Sequence, residues 1–213
     1  MDKIRLKLFS DGVLAIIITI MVLEIKVPEG KNFSDLIPLF PSFISYGLSF
    51  VYVGIYWKNH YHLLQSITKV NGTILWANLH FLFWISLIPV STNWVGEHLF
   101  AKATMTLYGI ILFLCSIHFW ILECTIIASE GKNSLLAQAV GKDRKGKITL
   151  ILYFIAILLS FLNEWIAGFI YIMVAMIWLK RDKKIERKIN SHEIDPAEKE
   201  INSDETTINP HEE

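Results

Sequence analysis

Arg5, Ser10 and Asp11 stand at the head of a long apolar stretch, and Trp57, His60, His62, Trp76, Asn78 and His80 follow in the next two. An ionised carboxylate only accepts hydrogen bonds, whereas indole, imidazole and amide groups donate them. The chemistry these types support is a buried polar network gathered round Ser10 and Asp11. A second possibility is proton exchange, with Asp11 and His60 or His80 as an acid and base pair. Hydrolytic and nucleotide chemistry find no support, because the chain lacks G-x-S-x-G, H-E-x-x-H and G-x-x-x-x-G-K-[ST]. An enzyme is not expected. Cys115 and His118 share a helix face, but Glu123 turns away from them, so a buried hydrogen bond and not a metal site is expected there.

Composition says what must position these groups. Of 213 residues, 53% are hydrophobic and only 19% are charged, against about a quarter charged in soluble domains. The chain is expected in a lipid bilayer. Twenty basic and twenty acidic residues cancel, which removes a global electrostatic argument for nucleic acid as a partner. Six apolar segments are near the length of a spanning helix: Leu8 to Ile25, Ile37 to Trp57, Ile74 to Thr92, Thr104 to Ala128, Ile148 to Leu162 and Trp165 to Leu179. The last two are read as two short helices. Lys3, Arg5 and Lys7 before the first segment give it the look of a signal peptide, but no small-x-small cleavage site follows, and a retained helix is expected.

Under this division seventeen Lys and Arg residues fall on the side of the termini and three (Lys26, Lys31 and Lys102) on the other. The positive-inside rule then predicts an all-α membrane protein with six transmembrane helices and both termini cytoplasmic. The membrane domain is expected over residues 1–188. Residues 189–213, acidic and carrying two prolines, read as a disordered cytoplasmic tail. Cys115 and Cys124 would project from opposite faces of one helix, so no disulfide is expected.

The first helix carries the sharpest pattern. Arg or Asp costs about 2.5–3.5 kcal/mol each at the centre of a spanning helix, and less near its ends. Arg5 and Asp11 lie about 120° apart round the helix and about 9 Å along it, too far to pair well. Their partners must come from other helices. The topology puts Trp57, His60, His62, Trp76, Asn78 and His80 in the same leaflet. At 100° per residue, Arg5, Phe9, Gly12, Ile16, Thr19, Ile20 and Leu23 fall in one stripe, and Ser10 and Asp11 flank it. Periodicity alone does not tell a pore-lining stripe from a packing seam.

The run R-x-x-x-F-S-D-G-V-x-A-I-x-x-T, here Arg5, Phe9, Ser10, Asp11, Gly12, Val13, Ala15, Ile16 and Thr19, resembles the signature of the transmembrane protein 175 family of lysosomal and prokaryotic potassium channels. Secondary matches are Trp57 with His60, Asn78 with Leu79, and Ile88-Pro89. The motifs cover about the first 90 residues, and helix count carries the rest. A second F-S-D, Phe33 to Asp35, is a decoy, with Glu29 where the arginine should be and no A-I-x-x-T after it.

The resemblance implies a potassium-favouring cation channel in a prokaryotic plasma membrane. Single-repeat members of the family form tetramers with four first helices round the conduction axis, so a homotetramer with a central pore is implied. Ile16, Ile20 and Leu23 would form successive rings, a hydrophobic gate able to close by dewetting. The family's filter threonine carries over to Thr19, whose hydroxyl either meets a partly dehydrated cation or bonds back to the Ala15 carbonyl. Arg5, Phe9, Ser10, Asp11, His60, Trp76, Asn78 and His80 would make the structural network. Potassium would be the permeating ligand, with no cofactor and no metal site. The rival is a proton-coupled carrier or proton pathway through Asp11 and the histidines; the inverted repeats or broken helices that mark many carriers are not evident.

Overall fold

A computed structural model describes residues 2–28, 30–131, 134, 136–137 and 144–179, and among these described residues seven α-helices and one 3-10 helix have defined bounds. The tail expected over 189–213, with the basic run before it, lies outside the described residues. In order these are α1 (Lys3–Leu23), the 3-10 helix (Phe33–Leu39), α2 (Phe40–Gln65), α3 (Gly72–Ile85), α4 (Ile88–Glu97), α5 (Lys102–Glu130), α6 (Arg144–Ser160) and α7 (Glu164–Leu179). Among the described residues no strand occurs.

Local chemistry sets the boundaries. Pro28 has no N–H to extend a helix, and α1 stops before it. The second F-S-D opens the 3-10 helix, where the Asp35 carboxylate accepts from the Asn32 N–H at 2.8 Å in a capping box, so it serves as a helix start. Pro41 lies in the first turn of α2, where an absent N–H costs nothing. The Asn71 side chain caps α3 by accepting from the Ile74 N–H at 2.9 Å, and the Asn163 side chain accepts from the Trp165 N–H at 2.9 Å to start α7.

The third apolar segment is not one helix. It breaks at Ser86 and Leu87, because Pro89 has no N–H for Ile85 to accept and its ring crowds that carbonyl. A broken helix is therefore present that the pattern of apolar residues did not disclose. α2 also continues two turns past Trp57 to Gln65, since His60, Leu63 and Leu64 are buried within the subunit. The last two segments are two helices.

Among the described residues four stretches are long and apolar enough to cross a membrane: Lys3–Leu23, Phe33–Gln65, Gly72–Glu97 and Lys102–Glu130. α6 and α7 have 17 and 16 residues, which at 1.5 Å per residue reach about 25 Å of a roughly 30 Å hydrocarbon layer.

Packing uses hydroxyls and small residues, as expected where lipid offers side chains as apolar a setting as the protein does. Tyr52, Tyr56, Tyr108, Tyr153 and Tyr171 are buried together. The Tyr56 hydroxyl bonds Ser116 at 2.8 Å, Tyr108 bonds Ser49 at 2.9 Å, Tyr171 donates to the Met105 carbonyl at 3.1 Å, and Tyr52 donates to the Tyr171 carbonyl. These bonds tie α2 and α7 to each other and to α5.

Ser42, Ser45 and Ser49 on α2 face α4, where Thr92 donates to Ser49 at 2.7 Å and Gly96 lets the backbones meet. A Cβ on Gly96 would lie 2.7 Å from the Ser42 Cα, an atom that cannot swing aside. Gly96→Ala is expected to destabilise the subunit by about 1–3 kcal/mol, the usual cost of overpacking. Thermal unfolding in detergent checks it, and an unchanged midpoint would mean the two helices are not in close contact.

Candidate functional site

α1 divides its faces sharply. Leu6, Ser10, Leu14, Ile17 and Met21, spaced by three and four residues, are buried against α2, α3 and α4. The seven residues of the stripe, Arg5, Phe9, Gly12, Ile16, Thr19, Ile20 and Leu23, are all exposed on the single subunit. Ile16 is 58% exposed and Leu23 80%. An apolar stripe this open must meet lipid or other copies of the chain. The Thr19 hydroxyl donates to the Ile16 carbonyl at 2.7 Å, one residue away from the Ala15 carbonyl considered from sequence. Its oxygen lone pairs stay on the open face.

The buried face is held by a chain of side-chain bonds. The Asn78 amide nitrogen on α3 donates to Ser10 Oγ at 3.0 Å, and Ser10 Oγ donates to the Leu6 carbonyl at 3.0 Å. The Asn78 oxygen pairs with His60 Nε2 on α2 at 2.7 Å. Because that oxygen can only accept, His60 carries its proton on Nε2 and donates. His60 Nδ1 is then a buried nitrogen with no partner among the described residues. Ser10, Asn78 and His60 are all fully enclosed, so three helices are joined by groups that water does not reach.

A second set joins α1 to α2 nearer the end of the bundle. Lys3 Nζ donates to the Gln65 carbonyl at 2.6 Å, Lys7 Nζ lies 4.4 Å from the centre of the Tyr61 ring, and the Asp11 carboxylate accepts from the Trp57 indole N–H at 3.1 Å. Positions 3, 7 and 11 are successive turns of α1, and 65, 61 and 57 are successive turns of α2 in the opposite sense. The ladder is what two antiparallel helices present to each other.

Some predicted residues lie elsewhere. Trp76 and His80 are on the exposed side of α3; the Trp76 carbonyl accepts from His80 Nδ1 at 2.9 Å, and the His80 ring lies 6.3 Å from that of His118. Asn78 stands two residues from each, about 200° round the helix, so the three cannot share a face. Arg5 and Phe9 are exposed with the stripe. His118 accepts from the Trp84 indole at 3.1 Å, a hydrogen-bonding role as expected. No group of three His, Cys, Asp or Glu side chains placed to hold a metal occurs among the described residues.

Residues 5–89, the span that contains all but the first two residues of α1, the Ser10–Asn78–His60 network and the helix break, match the family model of the endosomal/lysosomal potassium channel TMEM175. A Chryseobacterium protein named as a potassium channel is 52% identical over 192 residues, which is 90% of this chain and all of that one. The chain belongs to the TMEM175 family. A second relative of the TMEM175-family chain, named as a potassium channel of Chamaesiphon minutus, is 29% identical over 195 residues, covering 83% of this chain and 93% of that one. The crystal structure of a lysosomal potassium-selective channel TMEM175 homolog from Chamaesiphon minutus superposes with a TM-score of 0.74 at 27% identity, over 83% of this chain and 96% of the other. TMEM175-family relatives and their fold are those of channels and not enzymes, and the chain is a multi-pass membrane protein.

Proposed function

We propose that this chain forms a homotetrameric, potassium-favouring cation channel in a prokaryotic plasma membrane, with four copies of α1 lining a central pore. Each subunit crosses six times, with α3 and α4 together making one crossing and α6 and α7 making two short, tilted ones. Both termini then face the cytoplasm, as the distribution of Lys and Arg favours. Ile16, Ile20 and Leu23 set the constriction, Thr19 offers hydroxyl lone pairs to the ion, and Ser10, Asp11, His60 and Asn78 hold the pore helix, while Arg5 and Phe9 lie on the open stripe and Trp76 and His80 on the side of α3 turned away from it. Potassium is the permeating ligand and no cofactor takes part.

The observation that carries this reading is the contrast between the two faces of α1. One face is fixed by the Ser10–Asn78–His60 chain and the Asp11–Trp57 bond. The opposite one, with Ile16, Thr19, Ile20 and Leu23, has no partner in its own subunit. A helix anchored on one side and left open on the other is what a symmetric pore requires. The break between α3 and α4 is a feature that carriers also show, but the side chains give the proton-pathway rival no relay. Asp11 bonds an indole N–H, which has no lone pair to pass a proton on, and His60 bonds an amide.

The test is potassium flux into liposomes holding the purified protein. Flux should follow the potassium gradient alone, at equal pH on both sides. Flux that appears only with a proton gradient would replace this reading with the carrier, and inert liposomes would remove transport altogether.

A further inference from the structure

The end of α1 away from the polar ladder runs into a cavity of about 340 Å³ that the channel reading leaves without a role. It is lined by Glu24 and Lys26 just after α1, by Pro38, Leu39 and Ser42 where α2 begins, and by Asn93, Gly96, Glu97, His98 and Leu99 at the end of α4. Lys26 Nζ pairs with Glu97 Oε1 at 2.7 Å. Glu24, the residue that follows Leu23, has its Oε2 closed off from solvent with no hydrogen-bond partner among the described residues. Of the two carboxylates that line the cavity, Glu97 holds the lysine, and Glu24, whose Oε2 has no partner, is attached to the stripe.

The two walls differ in stiffness. On the α4 side Leu99 and Phe100 both have positive φ, 51° and 61°, a left-handed conformation that residues with a Cβ hold only when their surroundings impose it. The Phe100 N–H bonds the Val95 carbonyl at 3.1 Å, and the Phe100 ring rests 5.9 Å from that of Trp165. On the α1 side a backbone bond runs from the Ile25 N–H to the Val22 carbonyl at 3.3 Å, and residues 26–28 then follow without regular structure. If the cavity opens or closes, α1 is the wall that moves.

We propose that Glu24 and Lys26 are positioning residues for the outer end of the constriction: Lys26 clamps the end of α1 to Glu97, and the proton on Glu24 sets how closely that end docks on α4. Leu23 moves with it. This rests on the pore role of α1 and on the six-span topology, which puts the cavity on the outer side. Burial, and after it the Glu97 carboxylate, pushes the Glu24 carboxyl above its ordinary value. A raised value in the docked position means that protonation favours docking: the contribution is complete below the ordinary value and is lost as pH rises through the raised one. The other titratable groups facing Glu24 are Lys26, Glu97 and His98, whose Nδ1 bonds the Trp94 carbonyl at 3.2 Å; the residues that line the cavity from the start of α2 carry no charge.

The test varies outer pH at constant inner pH on the reconstituted channel and its Glu24→Gln, Glu97→Gln and Lys26→Met variants. Potassium flux of the unaltered protein should change with outer pH, and Glu24→Gln should hold the acid-side value throughout. The midpoint should fall in Glu97→Gln, which removes a repelling charge, and rise in Lys26→Met, which strips that repelling Glu97 of its counter-charge. Hydrogen exchange on the same proteins in nanodiscs, corrected for its own pH dependence, reads docking directly. Residues 24–27 should gain protection on acidification in the unaltered protein and be protected at every pH in Glu24→Gln. Exchange that responds to pH alike in both proteins overturns the proposal, as does flux with one shared pH profile. A protein that passes no potassium overturns the channel reading, while the exchange measurement still decides the role of Glu24.

Discussion

Ile16→Asn is expected to raise potassium flux per tetramer about tenfold, the factor that 1.4 kcal/mol of barrier is worth, and to reduce the preference for potassium over sodium. In the proposed pore four isoleucines would face one axis and exclude water, and an ion would have to shed hydration to pass them. Four amides would wet the same ring. The substitution suits this test because Ile16 is 58% exposed on the subunit and makes no contribution to its interior. Ile17, its neighbour, is 3% exposed and gives the control. Ile17→Asn buries an amide with no partner, at a cost of about 1–3 kcal/mol, so it should lower stability and leave the flux per surviving tetramer unchanged. Liposome flux normalised to native mass spectrometry separates the two. If both variants behave like the unaltered protein in flux, the stripe faces lipid and the pore lies elsewhere.

The stripe was legible because a helix obeys one rotation per residue. Counting 100° steps from Arg5 picks out seven residues, and all seven are exposed on the subunit. That Ser10 and Asp11 would find partners on the next two helices followed from the cost of leaving such groups unpaired in lipid, but which of six candidate donors each would meet did not. What the count did not use was the same rule on α3. Trp76 and His80, four residues apart, share a face, and Asn78, two residues from each, points the other way, so α1 meets either the pair or Asn78; the buried positions Ile74, Phe81, Leu82 and Ile85 mark Asn78 as the one. The ladder of Lys3 and Lys7 on Gln65 and Tyr61 was out of reach for another reason. Its rungs depend on where α2 ends, and hydropathy placed that end at Trp57, two turns early. The tyrosine interior and the Glu24 cavity need helix-to-helix distances that no single segment encodes.

Asn78→Leu is expected to cost the subunit about 2 kcal/mol, more than any other single change in the network. Bonds between helices in a membrane average about 0.6 kcal/mol and reach about 1.7, so the two that Asn78 makes would give little if their loss were simple. Their loss is not simple. His60 Nε2–H, already beside a partnerless Nδ1, would become a second buried polar group without a partner, and such a donor costs about 1–3 kcal/mol. Asp11→Ala breaks only the bond to the half-exposed Trp57 and should cost less than 1 kcal/mol in the subunit, though it too should weaken the tetramer if α1 must stay in register. The decisive comparison is the double variant His60→Leu with Asn78→Leu. Removing both partners leaves no orphaned donor, and replacing a bonded pair by apolar groups of similar shape is often close to neutral. Unfolding midpoints and tetramer fractions should therefore recover in the double variant relative to Asn78→Leu alone. A double variant as weak as the sum of its singles would mean that His60 and Asn78 act independently, and that nothing couples α2 to α3 behind the pore helix.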